Sequence, residues 1–341
     1  MSFGPDIVVY GGLLIGLVFG AVGLVSGFCL LSSLRGWWGD GDGRLVRTYA
    51  LAIGVAVLAT QLLALGGYVD LDRSIYLPSS FSAPLMFAGG LMFGYGMVLA
   101  NGCASRALVL LGRGNLRSFV VVVTLAVAAQ MTLKGLIAPA RLTLLRATQG
   151  TPDIVSLPGL LATVGLSAAA ARVLALVAVG GGFALFAFAH PAFRRSGGQI
   201  AAGVTIGLLV AAGWFATGFL GADDFNPSPV TSMTYVAPVA DAVQYVMLST
   251  GLTLNFGIAL VGGVVTGSCV TALLTGRFKW DGYTSPGHML RSIGGAVLMG
   301  AGGAMALGCS VGQGLTGLST LALASFVAAT GIVAGTAFGL R

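Results

Sequence analysis

Carboxylates are the scarcest polar groups in this sequence of 341 residues. The chain contains no glutamate and ten aspartates, and charged residues make up only 8% of it. A typical soluble domain carries roughly 25% charged residues. The sequence therefore excludes a soluble enzyme. We also expect no di-iron centre, no paired glycosidase acids and no acidic cation filter.

Hydrophobic residues, in contrast, make up 56% of the chain, and the mean hydropathy is +0.96. A membrane-spanning helix needs about 20 mostly apolar residues. The sequence predicts an all-α integral membrane protein with nine such helices. They lie near 8–25, 46–67, 82–100, 116–137, 170–190, 198–219, 247–266, 288–306 and 320–339. Two stretches with prolines and polar residues, about 138–168 and 221–242, are predicted to be extracytoplasmic loops.

The basic residues indicate an orientation. The 17 Lys and Arg residues give a net charge of +7, but they are scattered singly and in pairs, which does not fit a nucleic-acid surface. Lys and Arg favour cytoplasmic loops. With the N-terminus outside and the C-terminus inside, twelve of the 17 lie on the cytoplasmic side. These are Arg35, Arg44, Arg47, Arg106, Arg113, Arg117, Arg194, Arg195, Arg277, Lys279, Arg291 and Arg341.

Four cysteines share one sequence plan, in which a glycine shortly before the cysteine is followed by a short apolar segment. The pairs are Gly27 with Cys29, Gly102 with Cys103, Gly267 with Cys269, and Gly308 with Cys309. Aligning the first cysteine with the third, and the second with the fourth, also matches several surrounding glycines. Such internal similarity is typical of transporters. We predict a single transmembrane domain, 1–341, with related halves of about 1–150 and 168–341.

The local chemistry of these units favours anion binding. A Gly-Cys step at the start of a short helix leaves several backbone N–H groups without intrahelical partners. Those donors lie at the positive end of the helix dipole, where anions bind. Four units around one axis predict a pathway of N–H donors and sulfur, suited to a small, soft, sulfur-containing anion.

Two of the cysteine segments carry a resemblance to a known family. Residues 101–106, Asn-Gly-Cys-Ala-Ser-Arg, and residues 308–314, Gly-Cys-Ser-Val-Gly-Gln-Gly, resemble the two signatures of the YeeE/YedE family. The resemblance extends over nearly the whole chain. It implies a multi-pass transporter of sulfur compounds such as thiosulfate in the bacterial inner membrane, and the charge distribution described above places the N-terminus in the periplasm. It also implies an hourglass-shaped fold of nine long and four short helices.

The resemblance also implies roles for individual residues and a partner. Cys29, Cys103 and Cys309 match the family's three functional cysteines, which pass thiosulfate along by transient S–H hydrogen bonds, whereas no role is carried over to Cys269. A small cytoplasmic sulfurtransferase that carries a persulfide is the expected partner. No enzymatic activity, metal or cofactor is expected. Some relatives are associated with selenium metabolism, so the family alone does not fix the substrate.

Several alternatives remain open at this stage. A buried free cysteine is often only a small apolar side chain. Arg106 and Gln313 follow their cysteines within one helical turn and are weaker candidates for anion contacts, as is Lys134. A membrane thiol enzyme that forms a cysteine persulfide would use the same thiols, and a permease for a selenium oxyanion would use the same pathway. The absence of a CxxC pair disfavours metal transport.

Overall fold

The structure, a computed structural model, describes residues 5–78, 80–150, 154–222 and 229–341. Within these ranges it is almost entirely helical and contains no named strand. The prediction of an all-α membrane protein is confirmed. The helices are α1 Pro5–Ser26, α2 Leu30–Trp38, α3 Arg44–Leu65, α4 Ala83–Ala100, α5 Ala104–Gly112, α6 Leu116–Leu133, α7 Ala138–Thr148, α8 Leu157–Ala162, α9 Ala168–Leu176, α10 Gly182–Phe188, α11 Pro191–Arg194, α12 Gly197–Phe215, α13 Val236–Met247, α14 Phe256–Leu274, α15 Pro286–Met305 and α16 Leu323–Leu340.

Eight helical segments in the described ranges are long and apolar enough to cross a membrane. They are Asp6–Trp38, Arg44–Leu65, Ala83–Gly112, Leu116–Leu133, Ala168–Phe188, Gly197–Leu220, Phe256–Leu274 and Leu323–Leu340. The remaining predicted span, 288–306, lies in a continuous helix, α15, but this helix is not among the eight. Its first half carries His288 and Arg291 together with several glycines, which lowers its hydropathy. The protein is therefore a multi-pass membrane protein.

The two predicted loops are partly helical. The first contains α7 and α8, and the second contains the start of α13. Part of the second loop, residues 223–228, lies outside the described residues. The prediction of an irregular connection at 221–242 is therefore wrong from Val236 onward, where an apolar segment with a buried first turn forms a helix.

Glycines let the long helices approach each other closely. A Cβ atom at Gly16 of α1 would overlap the carbonyl oxygen of Leu260 in α14. A Cβ atom at Gly94 of α4 would likewise overlap the carbonyl oxygen of Ile332 in α16. Small residues at helix interfaces are the usual device for close packing in membranes. Most of the glycine content thus serves helix packing.

Three of the four cysteines lie where a long helix ends and a short one begins. Cys29 and Cys103 are the N-cap residues of α2 and α5. Cys309 directly precedes a helical segment, 310–319, whose central part, Gly312–Gly317, is a π-helix. The predicted short helices at these three positions are confirmed.

The fourth expectation, a helix start at Cys269, is wrong. Both Gly267 and Cys269 lie inside the continuous helix α14. Gly267 instead packs its backbone against Leu17 of α1, so it serves a helix contact and does not interrupt the chain. A further short helix, α13, follows the N-cap residue Tyr235. The division into halves of about 1–150 and 168–341 stays a prediction.

Candidate functional site

The backbone conformation just before each of the three cysteines ends the preceding long helix. α1 ends at Ser26, and the next residue, Gly27, has a φ of 72°. α4 and α15 end differently, because the left-handed residues are Asn101, at a φ of 57°, and Leu307, at 54°. The N–H groups of Gly102 and Gly308 then donate to the carbonyls of Met97 and Gly303, at 3.0 and 2.9 Å. Both ends have the hydrogen bond of a Schellman motif, which turns the chain sharply before the cysteine.

Cys29 and Cys103 form a close pair of thiols. Their Sγ atoms are 3.9 Å apart, although 74 residues separate them in the chain. Both residues are almost completely buried, and both are free cysteines. The Cys103 Sγ atom also lies 3.2 Å from the Ser105 hydroxyl. Two sulfur atoms and one hydroxyl group therefore meet at the starts of α2 and α5.

Neither cysteine side chain caps its helix. In α2 the first intrahelical bond runs from the Ser33 N–H to the Cys29 carbonyl, and in α5 from the Ala107 N–H to the Cys103 carbonyl. The N–H groups between these residues have no intrahelical acceptor. Both thiols thus lie at the positive ends of short helices.

Cys309 lies in a separate polar niche next to the thiol pair. Its Sγ atom accepts a hydrogen bond from the Gly312 N–H at 3.2 Å. The Thr234 side chain is close to the same sulfur atom. A Cβ atom added at Gly312 would lie 2.5 Å from the Thr234 hydroxyl and 3.5 Å from the Tyr76 hydroxyl. The Tyr76 hydroxyl is buried and has no hydrogen-bond partner in the described part of the chain.

Tyr49 connects the thiol pair to the niche. Its hydroxyl donates to the carbonyl of Ser310 at 2.6 Å, and its ring stacks on Phe28 with the centroids 5.0 Å apart. Ser310 follows Cys309 directly, and its side chain neighbours Cys103. The Ser310 hydroxyl is buried and forms no hydrogen bond with a described residue. The three thiols therefore line one buried region with unsatisfied polar groups.

The structure does not bring Cys269 into this region. Its side chain is only partly buried, on α14. The backbone at Cys269 packs against α5, because a Cβ atom at Gly112 would lie 3.0 Å from the Cys269 nitrogen. Cys269 therefore contacts the far end of the short helix that Cys103 begins.

Gln313 and Arg106 each bind a backbone carbonyl. The Gln313 amide donates to the carbonyl of Ala306 at 2.6 Å, while its Oε1 atom is buried without a partner among the described residues. The Arg106 guanidinium donates to the carbonyl of Gly23 at 3.0 Å and so joins α5 to the end of α1. Lys134 forms an ion pair with Asp241 at 3.2 Å.

The sequence reasoning missed several hydroxyl-bearing residues. Tyr49 and Tyr76 have no local signal, because they reach the site from distant parts of the chain. Tyr235, whose backbone lies beside the Cys309 sulfur, does have one, since it precedes an apolar helix as the cysteines do. Ser310 could have been found from its position next to Cys309.

The sequence pattern of sulphur transport proteins matches residues 25–338. The chain belongs to the sulphur transport family. This is the YeeE/YedE family that the two cysteine segments indicated. The family is one of transporters, in agreement with the expectation that the protein is not an enzyme.

Two curated members of the family are similar over part of their length. The thiosulfate transporter TsuA of Escherichia coli (strain K12) is 30% identical over 130 residues, which cover 37% of this chain and 34% of that protein. The thiosulfate transporter TsuA of Spirochaeta thermophila is 35% identical over 86 residues, which cover 25% of this chain and 26% of that protein. The matches therefore span about a third and a quarter of these relatives.

Proposed function

We propose that this protein takes up thiosulfate, or a closely related small sulfur anion, along a pathway that Cys29, Cys103 and Cys309 line. The observation that carries the proposal is the pair of thiols 3.9 Å apart at the starts of α2 and α5. Family membership supports a sulfur compound as the substrate. Both relatives are named as thiosulfate transporters.

The chemistry of the region suits an anion with a sulfur end and an oxygen end. A thiol is a weak hydrogen-bond donor, which suits the terminal sulfur of thiosulfate. The N–H groups at the starts of α2 and α5, which have no intrahelical acceptor, would replace part of the water lost by the sulfonate oxygens. The hydroxyls of Ser105 and Ser310 are further donors beside the Cys103 thiol.

Several weak sites in series allow rapid passage. An ion must bind well enough to enter and weakly enough to leave. The pathway we propose runs through the Cys29–Cys103 pair and the Cys309 niche as a relay of thiols. Gln313 binds the end of α15 and Arg106 binds the end of α1, so we assign both a positioning role.

We further propose that the protein resides in a bacterial inner membrane, with the N-terminus in the periplasm and the C-terminus in the cytoplasm. A dianion would enter against an inside-negative potential, at a cost of about 2.3 kcal/mol per charge per 100 mV. Rapid consumption in the cytoplasm would offset this cost. A small sulfurtransferase that carries a persulfide fits that role.

Uptake into sealed vesicles that contain the purified protein tests this function. With thiosulfate labelled on the terminal sulfur, we expect intact thiosulfate in the lumen. Sulfite left outside together with a persulfide on the protein would instead indicate a membrane thiol enzyme. Stronger competition by selenite than by unlabelled thiosulfate would indicate a permease for selenium oxyanions. Empty vesicles and vesicles with the Cys103→Ala variant are the controls.

A further inference from the structure

A cavity apart from the three thiols is lined by several basic residues. It has a volume of about 270 Å³ and lies where four helices begin or end. Arg35 of α2, Asn101 after α4, Arg117 and Ser118 of α6, and His288 and Arg291 of α15 line it. The cavity is large enough for a sulfate-sized anion and its first waters.

The positive charge of this cavity is not compensated by a carboxylate. Three guanidinium groups and one imidazole contribute to its lining, whereas no aspartate does. Of the aspartates close in sequence to the lining residues, Asp42 pairs with Arg44 at 2.7 Å and Asp281 pairs with Arg113 at 3.4 Å, while Asp40 forms no ion pair within the described ranges. Arg291 forms no ion pair within the described ranges.

Two of the arginines are held in place by neutral acceptors. Arg35 donates to the Asn101 side chain at 2.8 Å, and Arg117 donates to the carbonyl of Gly282. Neutral acceptors orient a guanidinium group without cancelling its charge. Its remaining N–H groups have the planar arrangement that binds oxyanions through two hydrogen bonds.

The cavity is next to the thiol pair. Its lining includes Gly102 and Ala107, which lie on either side of Cys103 in the sequence. The Cys103 Sγ atom itself lies 3.9 Å from that of Cys29. The cavity is therefore lined by residues that flank Cys103 in the chain.

We propose that this cavity is a second anion site, which binds small divalent sulfur oxyanions through Arg291, Arg117 and Arg35. The proposal rests on the proposed transport function, because the cavity would be the next binding site for the anion after Cys103. The site recognises the sulfonate oxygens and not the terminal sulfur. It therefore binds sulfate as well as thiosulfate, unlike the thiol pathway.

Equilibrium binding of radiolabelled thiosulfate and sulfate to the purified protein tests the second site. The Cys103→Ala/Cys309→Ala double variant removes two of the three thiols of the proposed pathway and leaves Cys29. We expect saturable binding of both anions to persist in this variant. Adding Arg291→Gln should weaken it about tenfold or more, because a hydrogen bond to a charged group contributes about 1.5–3 kcal/mol. Arg291→Lys should restore part of the affinity.

The controls separate the two proposals. Arg172→Gln removes an exposed arginine of α9 and should leave binding unchanged, and melting temperatures confirm that each variant is folded. Absence of saturable binding in the cysteine double variant, or equal affinity with and without Arg291, would overturn the second site alone. Binding of an anionic lipid headgroup only, with no displacement by sulfate or thiosulfate, would do the same. If the cavity binds both anions but the unsubstituted protein takes up no thiosulfate into vesicles, the transport proposal would be overturned instead.

Discussion

The thiols of Cys29 and Cys103 lie 3.9 Å apart inside the protein, each at the start of a short helix. A disulfide bond needs the two sulfur atoms at about 2.05 Å, so a displacement of about 2 Å would join them. The pair is therefore both a candidate contact for the substrate and a place where oxidation can close the pathway.

We expect diamide to inhibit uptake by joining these two thiols. Diamide takes up two electrons and two protons as the disulfide forms. The bond would remove the S–H donors and pull α2 and α5 together, so transport should stop and return after reduction with dithiothreitol. Mass spectrometry of the digested protein should find the Cys29–Cys103 peptide. The Cys29→Ala variant should form no such bond, and formation of a different disulfide would contradict the assignment.

Cysteine substitutions should distinguish the buried thiols from the one in α14. Cys103→Ala and Cys309→Ala should lower thiosulfate uptake at least tenfold, because each removes a donor from the buried region. Cys269→Ala should retain most of the uptake, since Cys269 lies within a continuous helix and is only partly buried. Uptake in vesicles with equal amounts of folded protein measures this. Loss of activity in the Cys269 variant alone would reject the pathway.

The Tyr76 hydroxyl should matter for transport more than for folding. It is buried next to the Cys309 niche without a partner among the described residues. An unpartnered buried polar group costs about 1–3 kcal/mol. Tyr76→Phe should therefore raise the melting temperature or leave it unchanged, while it lowers uptake by about tenfold. A stable variant with full uptake would show that the substrate does not use this hydroxyl.

Tyr49→Phe is the matched comparison, because the hydroxyl of Tyr49 does have a partner. It donates to the carbonyl of Ser310 at 2.6 Å. Removing it leaves a buried carbonyl without that donor, so we expect a loss of about 1–3 kcal/mol in the free energy of unfolding. In thermal unfolding in detergent, Tyr49→Phe should lower the melting temperature and Tyr76→Phe should not. Equal shifts would contradict the hydrogen-bond assignment.

Two adjacent glycines of α14 should respond in opposite ways to alanine. A Cβ atom at Gly263 would overlap the carbonyl of Leu13 in α1, whereas one at Gly262 would meet nothing within 4 Å. Gly263→Ala should destabilise the protein by about 1–3 kcal/mol through overpacking. Gly262→Ala should stabilise it by up to about 1 kcal/mol, the difference in helix propensity. Melting temperatures of the pair measure the effect, and similar values would contradict the α1–α14 packing.

The amino-acid sequence by itself determined the class of the protein and most of its helices. Long apolar runs with few charges can form stable structure only as helices in a membrane, because backbone polar groups must be satisfied within the segment. The pattern around Cys29, Cys103 and Cys309 predicted the short helices at these three positions, because the residues that form the turn before each cysteine are its immediate neighbours in the sequence. The same pattern was misleading at Cys269.

Only the tertiary structure decided how the four cysteines differ. Gly267 precedes its cysteine by two residues, as Gly27 does, but it packs against Leu17 of α1, and α14 stays continuous through Cys269. Tyr49 reaches the carbonyl of Ser310 across 261 positions of the chain. No local pattern records such a contact, because helix packing brings the two residues together. The sequence therefore specified which segments cross the membrane, while the packing of their glycine faces decided which side chains surround the buried thiols.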